Sequence, residues 1–437
     1  MLSKAENEYL CRIGPGTPMG NLMRQYWLPA IRSDELAEPD GAPLRVRLLG
    51  EDLIGFRTTS GQVGLIQSNC PHRGASLFFG RNEEAGLRCV YHGWKFAPDG
   101  TCVDMPNEPA ESDFKQKVKA TAYPTRERGG IVWAYLGPRG EPPPLPDFEA
   151  NMLPEHDTVV SILHRPCNWM QGWEGEMDTV HQAFLHAGAN RVENTTPGTF
   201  DYFIARTPAP RFAVIDTPYG TSYGAYRPAT DDTYYWRIAH MLFPFYAMIP
   251  AGMMGQQTRF AAYVPMDDEH TLHWEITRGL IDPEKLPAEA RGSEGRRPTG
   301  RAASEYQPNT TDWYGRFNLH QSMANDYFID REAQRAMRSY TGIPGIRQQD
   351  MAVTESMGPI FDRESEHLGT TDALIIRTRR RMITAARALE QNGVIPPGVD
   401  NPELYRQRSG GVLLPREVNW WDATAARRTE FVAATAR

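Results

Sequence analysis

The amino-acid sequence predicts an α+β protein, with an all-β region near the N-terminus and a larger region of mixed helices and strands after it. Short strands separated by turns extend from Leu44 to about Gly137, and the proline-rich segment 142–146 then marks a stiff linker. Beyond this linker, helical patterns at 168–188 and after Asp372 flank several strand patterns at 200–280. The 437 residues of the chain allow two or three domains.

The individual elements follow from local patterns. Residues 7–32 have a helical pattern with a break at 14–18, where two glycines and two prolines fall together. The turn at 59–61 and the Asp-Gly pair at 99–100 predict tight connections between neighbouring strands. Residues 282–311 are polar and rich in proline, glycine and charged side chains, which predicts a long loop or insertion.

The last long helix is predicted from Asp372 onward. Thr371 is a suitable N-cap residue, and Gly393 is suited to end the helix. Three consecutive arginines at 379–381 predict a solvated face. The apolar side chains recur at helical spacing on another face, at Ile375, Met382, Ala386 and Leu389.

Composition and charge exclude several classes of protein. The chain has 47 basic and 54 acidic residues, and this net charge of −7 argues against a general nucleic-acid-binding protein. No apolar run predicts a membrane-spanning helix, and the N-terminus lacks a signal-peptide pattern, so we expect a cytoplasmic protein. The odd, sparse number of five cysteines favours metal binding or burial over disulfide bonds. We expect small buried side chains at Cys11, Cys102 and Cys167.

The other two cysteines are paired with histidines in the β-rich region. Cys70 and His72 form a Cys-x-His motif, and Cys89 and His92 form a Cys-x-x-His motif on a later loop. Two such loops can place both sulfurs on one iron and both imidazoles on the other, which is the ligation of a Rieske [2Fe–2S] centre. The same four side chains could instead hold one tetrahedral zinc ion or form an unmetallated core.

A second group of candidate ligands lies beyond the linker. Asp178, His181 and His186 combine two imidazoles with a carboxylate, as in the facial triad of non-haem Fe(II) sites. On a regular helix Asp178 and His181 share a face, but His186 is rotated by about 140° from His181. We therefore expect a π-bulge or a helix end between the two histidines. Two nearby histidines also occur in proteins without a metal.

Taken together, these motifs resemble those of the large (α) subunits of Rieske non-haem iron oxygenases. The first pair matches the Rieske signature at all four ligands and at residues 71, 73–74 and 93–94. The pattern Glu-x₃-Asp-x₂-His-x₄-His at 174–186 is similar to the mononuclear-iron motif of these subunits. Residues 14–20 and 356–359 resemble the phthalate 4,5-dioxygenase branch, which also contains aromatic-ether O-demethylases. The resemblance covers nearly the whole chain.

The resemblance implies a domain organisation and two cofactors. A helical segment at 1–40 is expected to pack on the catalytic domain, and residues 41–147 to form the Rieske domain. Residues 148–437 are expected to form a catalytic domain of helix-grip architecture, an antiparallel sheet wrapped on a long helix. The implied cofactors are one Rieske [2Fe–2S] cluster and one mononuclear Fe(II) per chain.

The resemblance also implies a third iron ligand beside His181 and His186. It is expected to be a later aspartate, and residues 348–359 resemble the corresponding part of the family. We predict Asp350, with Asp326 as the runner-up and Asp362 as a weaker candidate.

Two further residues receive roles near the iron by resemblance. Asp178 is expected not to ligate iron but to accept hydrogen bonds from His181 and from His92 of a neighbouring subunit, because a carboxylate can accept from two imidazoles at once. Asn168 is expected to supply an amide near the iron, with a helix N-cap as its alternative role.

The implied activity is that of a terminal oxygenase. The sequence has no dinucleotide-binding fingerprint and no P-loop, so electrons from NAD(P)H are expected through a separate flavin and iron–sulfur reductase. We expect O₂-dependent cis-dihydroxylation of phthalate or a similar aryl carboxylate, by a homo-oligomer that is a trimer or a hexamer. The alternative is a monooxygenase that O-demethylates a lignin-derived methoxylated aromatic acid. Docking of the reductase is the alternative role for the arginines at 379–381.

An anionic substrate would require an arginine, because a guanidinium binds a carboxylate with two hydrogen bonds. Arg237 shares a strand face with Tyr235 and Ala239, and we predict substrate binding by Arg237 and Arg206. Each could instead be a surface arginine. The candidates on the predicted sheet are Arg206, Arg211, Arg227 and Arg237.

Two other classes of protein compete with this interpretation. A ferredoxin-type electron carrier would explain the first motif, but it leaves the second motif and the long region beyond the linker without a role. A binding protein with a structural zinc site would also use two cysteines and two histidines. Colour separates this zinc protein from a Rieske protein, since a Rieske protein is red-brown and a zinc protein is colourless.

Overall fold

The computed structural model describes residues 2–153, 158–250, 252–279 and 305–430. Most of the loop predicted at 282–311 therefore lies outside the described residues. In the part of the chain that is described, no helix is both long enough and apolar enough to cross a membrane.

The N-terminal segment begins with two short helices, α1 (Lys4–Cys11) and α2 (Pro18–Met23). Each begins at a hydroxyl side chain that accepts a hydrogen bond from the first turn, Ser3 for α1 and Thr17 for α2. Proline at the first position of α2 needs no hydrogen-bond partner for its nitrogen.

The helical pattern predicted over 7–32 is wrong beyond Met23. Residues Trp27–Arg32 form strand β1, which is buried along almost its entire length. Pro29 has no N–H to donate, and the ladder of β1 is irregular between Pro29 and Ile31. An apolar run that is buried on both faces has neither a helical nor a strand period. This explains why the sequence pattern did not distinguish the strand from a continued helix.

The β-rich region contains three small antiparallel sheets, with strand orders β1-β10-β9, β2-β3-β4 and β5-β6-β7-β8. The predicted turns at 59–61 and 99–100 connect β3 to β4 and β7 to β8. Since β1 pairs with β10, part of the 1–40 segment joins this region; the domain boundaries at 40 and 147 remain a prediction. The strands are β2 (Leu44–Leu48), β3 (Glu51–Arg57), β4 (Val63–Gln67), β5 (Arg81–Glu83), β6 (Gly86–Arg88), β7 (Lys95–Phe96), β8 (Cys102–Asp104), β9 (Thr125–Arg128) and β10 (Ile131–Tyr135).

An eight-stranded antiparallel sheet organises the region beyond the linker. Its order is β11-β17-β16-β15-β14-β13-β12, and β18 pairs with part of β14. This confirms the strand patterns predicted over 200–280. The strands are β11 (Val159–Arg165), β12 (Arg211–Thr217), β13 (Gly220–Pro228), β14 (Thr233–Leu242), β15 (Tyr246–Met248), β16 (Gln257–Pro265), β17 (Thr271–Gly279) and β18 (Gly410–Pro415).

Helices cover this sheet, and the longest of them, α8, packs on β12 and β13 and against α1, α2 and α4. It begins one residue after the predicted start, and Gly393 ends it with a φ of +66°. The helices are α3 (Glu149–Met152), α4 (Trp169–Met177), α5 (Phe200–Arg206), α6 (Arg331–Arg335), α7 (Ile346–Glu355), α8 (Ala373–Asn392), α9 (Trp420–Ala423) and α10 (Ala425–Thr429).

A buried ionic cluster joins α8 to α4. Glu174 on α4 accepts from Arg363 at 2.9 Å and from Arg379 at 2.5 Å, and both guanidiniums are buried. Burial alone would raise the pKa of Glu174, but the two cations outweigh it and lower that pKa. The solvated face predicted at 379–381 is therefore wrong for Arg379, and Arg381 donates to backbone carbonyls of the sheet; only Arg380 is exposed.

Candidate functional site

The cysteines and histidines of the first motif lie on two loops of equivalent geometry. In each loop the cysteine N–H donates to the carbonyl five residues later, at 2.8 Å in both. A glycine with a left-handed φ then donates back to the cysteine carbonyl, Gly74 at +75° and Gly93 at +81°. The two loops can therefore present equivalent donors from opposite sides.

The two loops bring their histidine rings together and their cysteine thiols together. The rings of His72 and His92 pack edge to face, with centroids 4.4 Å apart, and Cys70 and Cys89 are each only 2% exposed. Burial, together with the neighbouring Cys89 thiol, raises the pKa of Cys70 to about 11. Nδ1 of His72 is buried without a hydrogen-bond partner among the described residues. Paired thiols, paired imidazoles and an orphaned ring nitrogen fit a Rieske [2Fe–2S] cluster.

The second motif departs from the predicted helix earlier than expected. Helix α4 ends at Met177, and Asp178 is already extended. His181 begins a short 3₁₀ turn that ends at Ala183, and His186 lies in the irregular turn that follows. The expected break between the two histidines is present, but the α-helix itself stops before either of them.

This irregular backbone brings three side chains together. Oδ1 of Asp350, on α7, lies 3.1 Å from Nε2 of His186 and 3.6 Å from Nε2 of His181. One possible ligand atom from each of the three residues lies within 4.8 Å of the others. Two imidazoles and one carboxylate converging on a point match the donor set of a non-haem Fe(II) facial triad.

The runner-up carboxylates lie elsewhere. Asp326 is exposed, in a left-handed segment with φ of +50°, and Asp362 is exposed and accepts from the N–H of Glu364. Neither of these aspartates belongs to the three-residue cluster found in the described part of the chain. Asp350 is therefore the carboxylate that the fold presents to His181 and His186.

Asp178 lies behind His181, on the side away from Asp350. Its Oδ2 is 3.4 Å from Nδ1 of His181, and its Oδ1 accepts from the N–H of Val180 at 2.7 Å. Burial disfavours the charge of Asp178, but the hydrogen bonds from His181 outweigh it and lower the pKa of the carboxyl. The same contact raises the pKa of His181 against the effect of burial. Asp178 thus orients His181.

His186 has its own support, which the sequence analysis missed. Oε1 of Gln349, the residue before Asp350, lies 2.7 Å from Nδ1 of His186. A glutamine beside a predicted ligand is the only signal in the sequence, and it does not identify which atom the amide contacts.

Asn168 has the alternative of its two predicted roles, that of a helix N-cap. It is the N-cap of α4, and its Oδ1 accepts from the N–H of Met170. Its Nδ2 donates to the carbonyls of Cys11 and Asp268. Because backbone groups engage its whole amide at the far end of α4 from His181, the expected place near the iron is wrong.

The four candidate arginines are placed very differently. Arg206 is not on the sheet: it ends α5, is exposed and donates to the carbonyl of Ala229. Arg211 is exposed at the start of β12. Arg227 and Arg237, in contrast, are buried on neighbouring strands β13 and β14.

Arg237 reaches the second motif directly. Its Nε donates to Oγ1 of Thr179 at 3.2 Å, two residues before His181, and its guanidinium lies over the ring of Phe200 at 3.9 Å. Burial, and secondarily the charge of Arg237, lowers the pKa of Arg227 to about 10. Among the described residues, no carboxylate lies within salt-bridge distance of either guanidinium.

Comparison with known families agrees with both motifs. Residues 26–123 match the Rieske [2Fe-2S] domain, and residues 134–434 match the family described as LigXa C-terminal domain like. The second match alone covers more than half of the chain. The chain belongs to the Rieske non-haem iron oxygenases.

Two relatives of this Rieske oxygenase match over almost their entire length. The chain is 46% identical over 423 residues to the 3-chlorobenzoate-3,4-dioxygenase oxygenase subunit of Comamonas testosteroni, covering 97% of this chain and 98% of the relative. It is 38% identical to the phthalate 4,5-dioxygenase oxygenase subunit of Pseudomonas putida, covering 97% and 95%. A solved structure of dicamba monooxygenase has the same fold, with a TM-score of 0.56 at 19% identity, over 85% of this chain and 99% of that one.

The two cofactors of this Rieske oxygenase are a [2Fe–2S] cluster and a mononuclear iron. The donor sets found in the structure fit both groups in element and in number. The paired cysteines and histidines fit the cluster, and the cluster of two histidines and Asp350 leaves positions free around a metal ion.

Removing a side chain of the second site is expected to separate the two cofactors. His186→Ala and Asp350→Ala should keep the visible absorption of the Rieske cluster and lose product formation, because each leaves only two protein ligands for the mononuclear iron. Turnover assays with the visible spectrum recorded in parallel would test this. Asp326→Ala is the matched control; if it abolishes turnover and Asp350→Ala does not, the third ligand has been assigned to the wrong aspartate.

Proposed function

We propose that this chain is the terminal oxygenase of a system that cis-dihydroxylates an aryl carboxylate, such as phthalate or a benzoate. The observation that carries the proposal is Arg237, a buried guanidinium that contacts Thr179 beside the second motif and has no carboxylate partner among the described residues. Arg237 also donates to the carbonyl of Pro250 and interacts electrostatically with Asp201, but neither places a carboxylate in contact with its guanidinium. A buried cation without a carboxylate in contact is costly, and a bound substrate carboxylate would offset that cost. The names of two close relatives, a chlorobenzoate and a phthalate dioxygenase, support an acidic aromatic substrate.

The chain's own residues divide the work between two sites. We assign Cys70, His72, Cys89 and His92 to the [2Fe–2S] cluster and His181, His186 and Asp350 to the mononuclear iron. When bound, the cluster transfers single electrons and the mononuclear iron activates O₂. The protein residues hold the substrate ring at a fixed distance from the second site and keep both imidazoles in the tautomer that frees Nε2.

Arg237 is proposed to orient the substrate. A guanidinium offers two parallel N–H groups to a carboxylate, and this fixes the direction of the ring as well as its position. Arg227 lies on the same face of the sheet, diagonal to Arg237 across the β13–β14 pair. Two adjacent buried cations favour an anionic substrate over a neutral one.

Asp178 is proposed to connect the two sites across a subunit boundary. Its side chain is 29% exposed although it contacts His181, so one side of the carboxylate stays open to a second donor. His92 is partly exposed and is preceded by Val90 and Tyr91, which are 57% and 55% exposed. By the family resemblance, His92 of a neighbouring subunit would donate to Asp178. We therefore propose a homo-oligomer, a trimer or a hexamer.

A separate reductase is proposed to supply the electrons. Several solved structures of the same fold are complexes of carbazole 1,9a-dioxygenase oxygenase with a ferredoxin, one of them with a TM-score of 0.52 at 18% identity. This chain has no nucleotide-binding fingerprint of its own. A flavin and iron–sulfur protein that oxidises NAD(P)H would complete the system.

O-demethylation of a methoxylated aromatic acid is the second candidate function. It is favoured by 33% identity over 394 residues to the 5,5'-dehydrodivanillate O-demethylase oxygenase subunit of a Sphingobium strain. Turnover with a panel of phthalates, chlorobenzoates and methoxybenzoates separates the two. A cis-dihydrodiol supports dioxygenation, and formaldehyde supports demethylation.

Arg237→Met is expected to raise KM for the carboxylate substrate by about 10- to 100-fold, because a hydrogen bond to a charged group contributes about 1.5–3 kcal/mol. Steady-state kinetics with the best substrate of the panel would measure the change. For the carboxamide analogue of that substrate, Arg237→Met should change KM little, because the amide has no charge to pair with Arg237. Arg206→Met is the matched control on the exposed end of α5; an equal rise in KM there would place the substrate carboxylate at α5 instead.

Asp178→Asn keeps the shape of the side chain but turns an NH₂ group toward an imidazole N–H. The cluster absorption should bleach at a normal rate with the reductase. Its recovery with substrate and O₂ should slow by orders of magnitude, since each 1.4 kcal/mol of barrier is about tenfold in rate. Stopped-flow absorption would measure both phases. Recovery as fast as in the wild type, or a fully active monomer, would end the bridging proposal.

A further inference from the structure

Gln349 contacts His186 in a way that determines which ring nitrogen is free. Its Nε2 donates to the carbonyl of Ile343 at 2.9 Å, so the NH₂ end of the amide is committed to the backbone. The oxygen end must then face Nδ1 of His186, 2.7 Å away. An oxygen cannot donate, and therefore Nδ1 carries the hydrogen of this contact, which leaves Nε2 as the ring nitrogen available to a metal ion.

The freed nitrogen is the one that lies next to Asp350. Nε2 of His186 is 3.1 Å from Oδ1 of Asp350, on the opposite side of the ring from Gln349. Gln349 is itself only 8% exposed and belongs to α7, the helix that carries Asp350. One helix thus supplies a carboxylate to the cluster and, from the preceding residue, an acceptor that orients the second imidazole.

We infer that Gln349 is the positioning residue of His186, the counterpart of Asp178 for His181. The inference rests on the proposed metal site. The two supports differ in charge: His181 faces a carboxylate and His186 faces a neutral amide. Gln349 thereby directs Nε2 of His186 toward the site without adding a second negative charge behind it.

Metal binding to the folded protein tests this role without relying on turnover. The full-length protein would be stripped of its mononuclear metal and titrated anaerobically with Fe(II), with the visible spectrum of the Rieske cluster as the measure of folding. Gln349→Met keeps length and volume but removes the acceptor, and it should weaken Fe(II) binding by about 10- to 100-fold. Gln348→Met is the matched control, because Gln348 is also buried on α7, at 1% exposed, and its Nε2 has no partner among the described residues.

Gln349→Glu separates positioning from a structural tie. The glutamate keeps an acceptor for Nδ1 of His186 but loses the N–H that binds the carbonyl of Ile343. Positioning predicts that Gln349→Glu binds Fe(II) about as tightly as the wild type. If Gln349→Glu and Gln349→Met weaken binding equally, the residue only ties α7 to the preceding loop, and the inference is wrong.

Two further outcomes keep the inference separate from the metal site itself. His186→Ala should lose Fe(II) binding; if it binds normally, the proposed metal site fails. If His186→Ala loses binding while Gln349→Met retains it, the site stands and the role of Gln349 is refuted. Should Gln349→Met not fold, Gln349→Asn withdraws the amide by one methylene and is expected to give the same weakening.

Discussion

The carboxylate of Asp178 accepts hydrogen bonds from the backbone N–H groups of Val180 and His181 and faces the ring of His181. These contacts occur where α4 ends, and they hold Asp178 in an extended conformation that is followed by a tight turn. If the helix continued instead, His181 and His186 would lie on faces about 140° apart. The convergence of both rings on Asp350 depends on this local departure from helical geometry, and so does every chemical property assigned to the second site.

Charge is distributed unevenly around this point. The side behind the histidines has a carboxylate, Asp178, and a neutral amide, Gln349, while the adjoining strands of the sheet carry the buried cations Arg227 and Arg237. Buried ions are tolerated when they are paired, as Glu174 is with its two arginines. Among the described residues, no carboxylate lies within salt-bridge distance of either sheet arginine, and Arg237 interacts with Asp201 only at longer range. This is the observation behind the proposal of an anionic substrate.

Much of the fold and both ligand motifs could be predicted because they depend on local spacing. The cysteine and histidine pairs at 70–92 and the amphipathic period of α8 are visible within a few residues. The strand at Trp27–Arg32 was missed because its partner, β10, lies about a hundred residues away along the chain, and complete burial erases periodicity. Asn168, Arg206 and Gln349 show the same limit: their roles depend on which end of an element they occupy and on which atom faces a distant residue.

The iron content of anaerobically purified protein, determined together with its visible spectrum, tests the central claim that one chain carries two iron sites. The account predicts about three iron atoms per chain with the absorption of a [2Fe–2S] cluster, two from the cluster and one from the site at His181, His186 and Asp350. A colourless protein containing zinc would contradict the first site. Two iron atoms per chain with full cluster absorption, even after Fe(II) is supplied, would contradict the second.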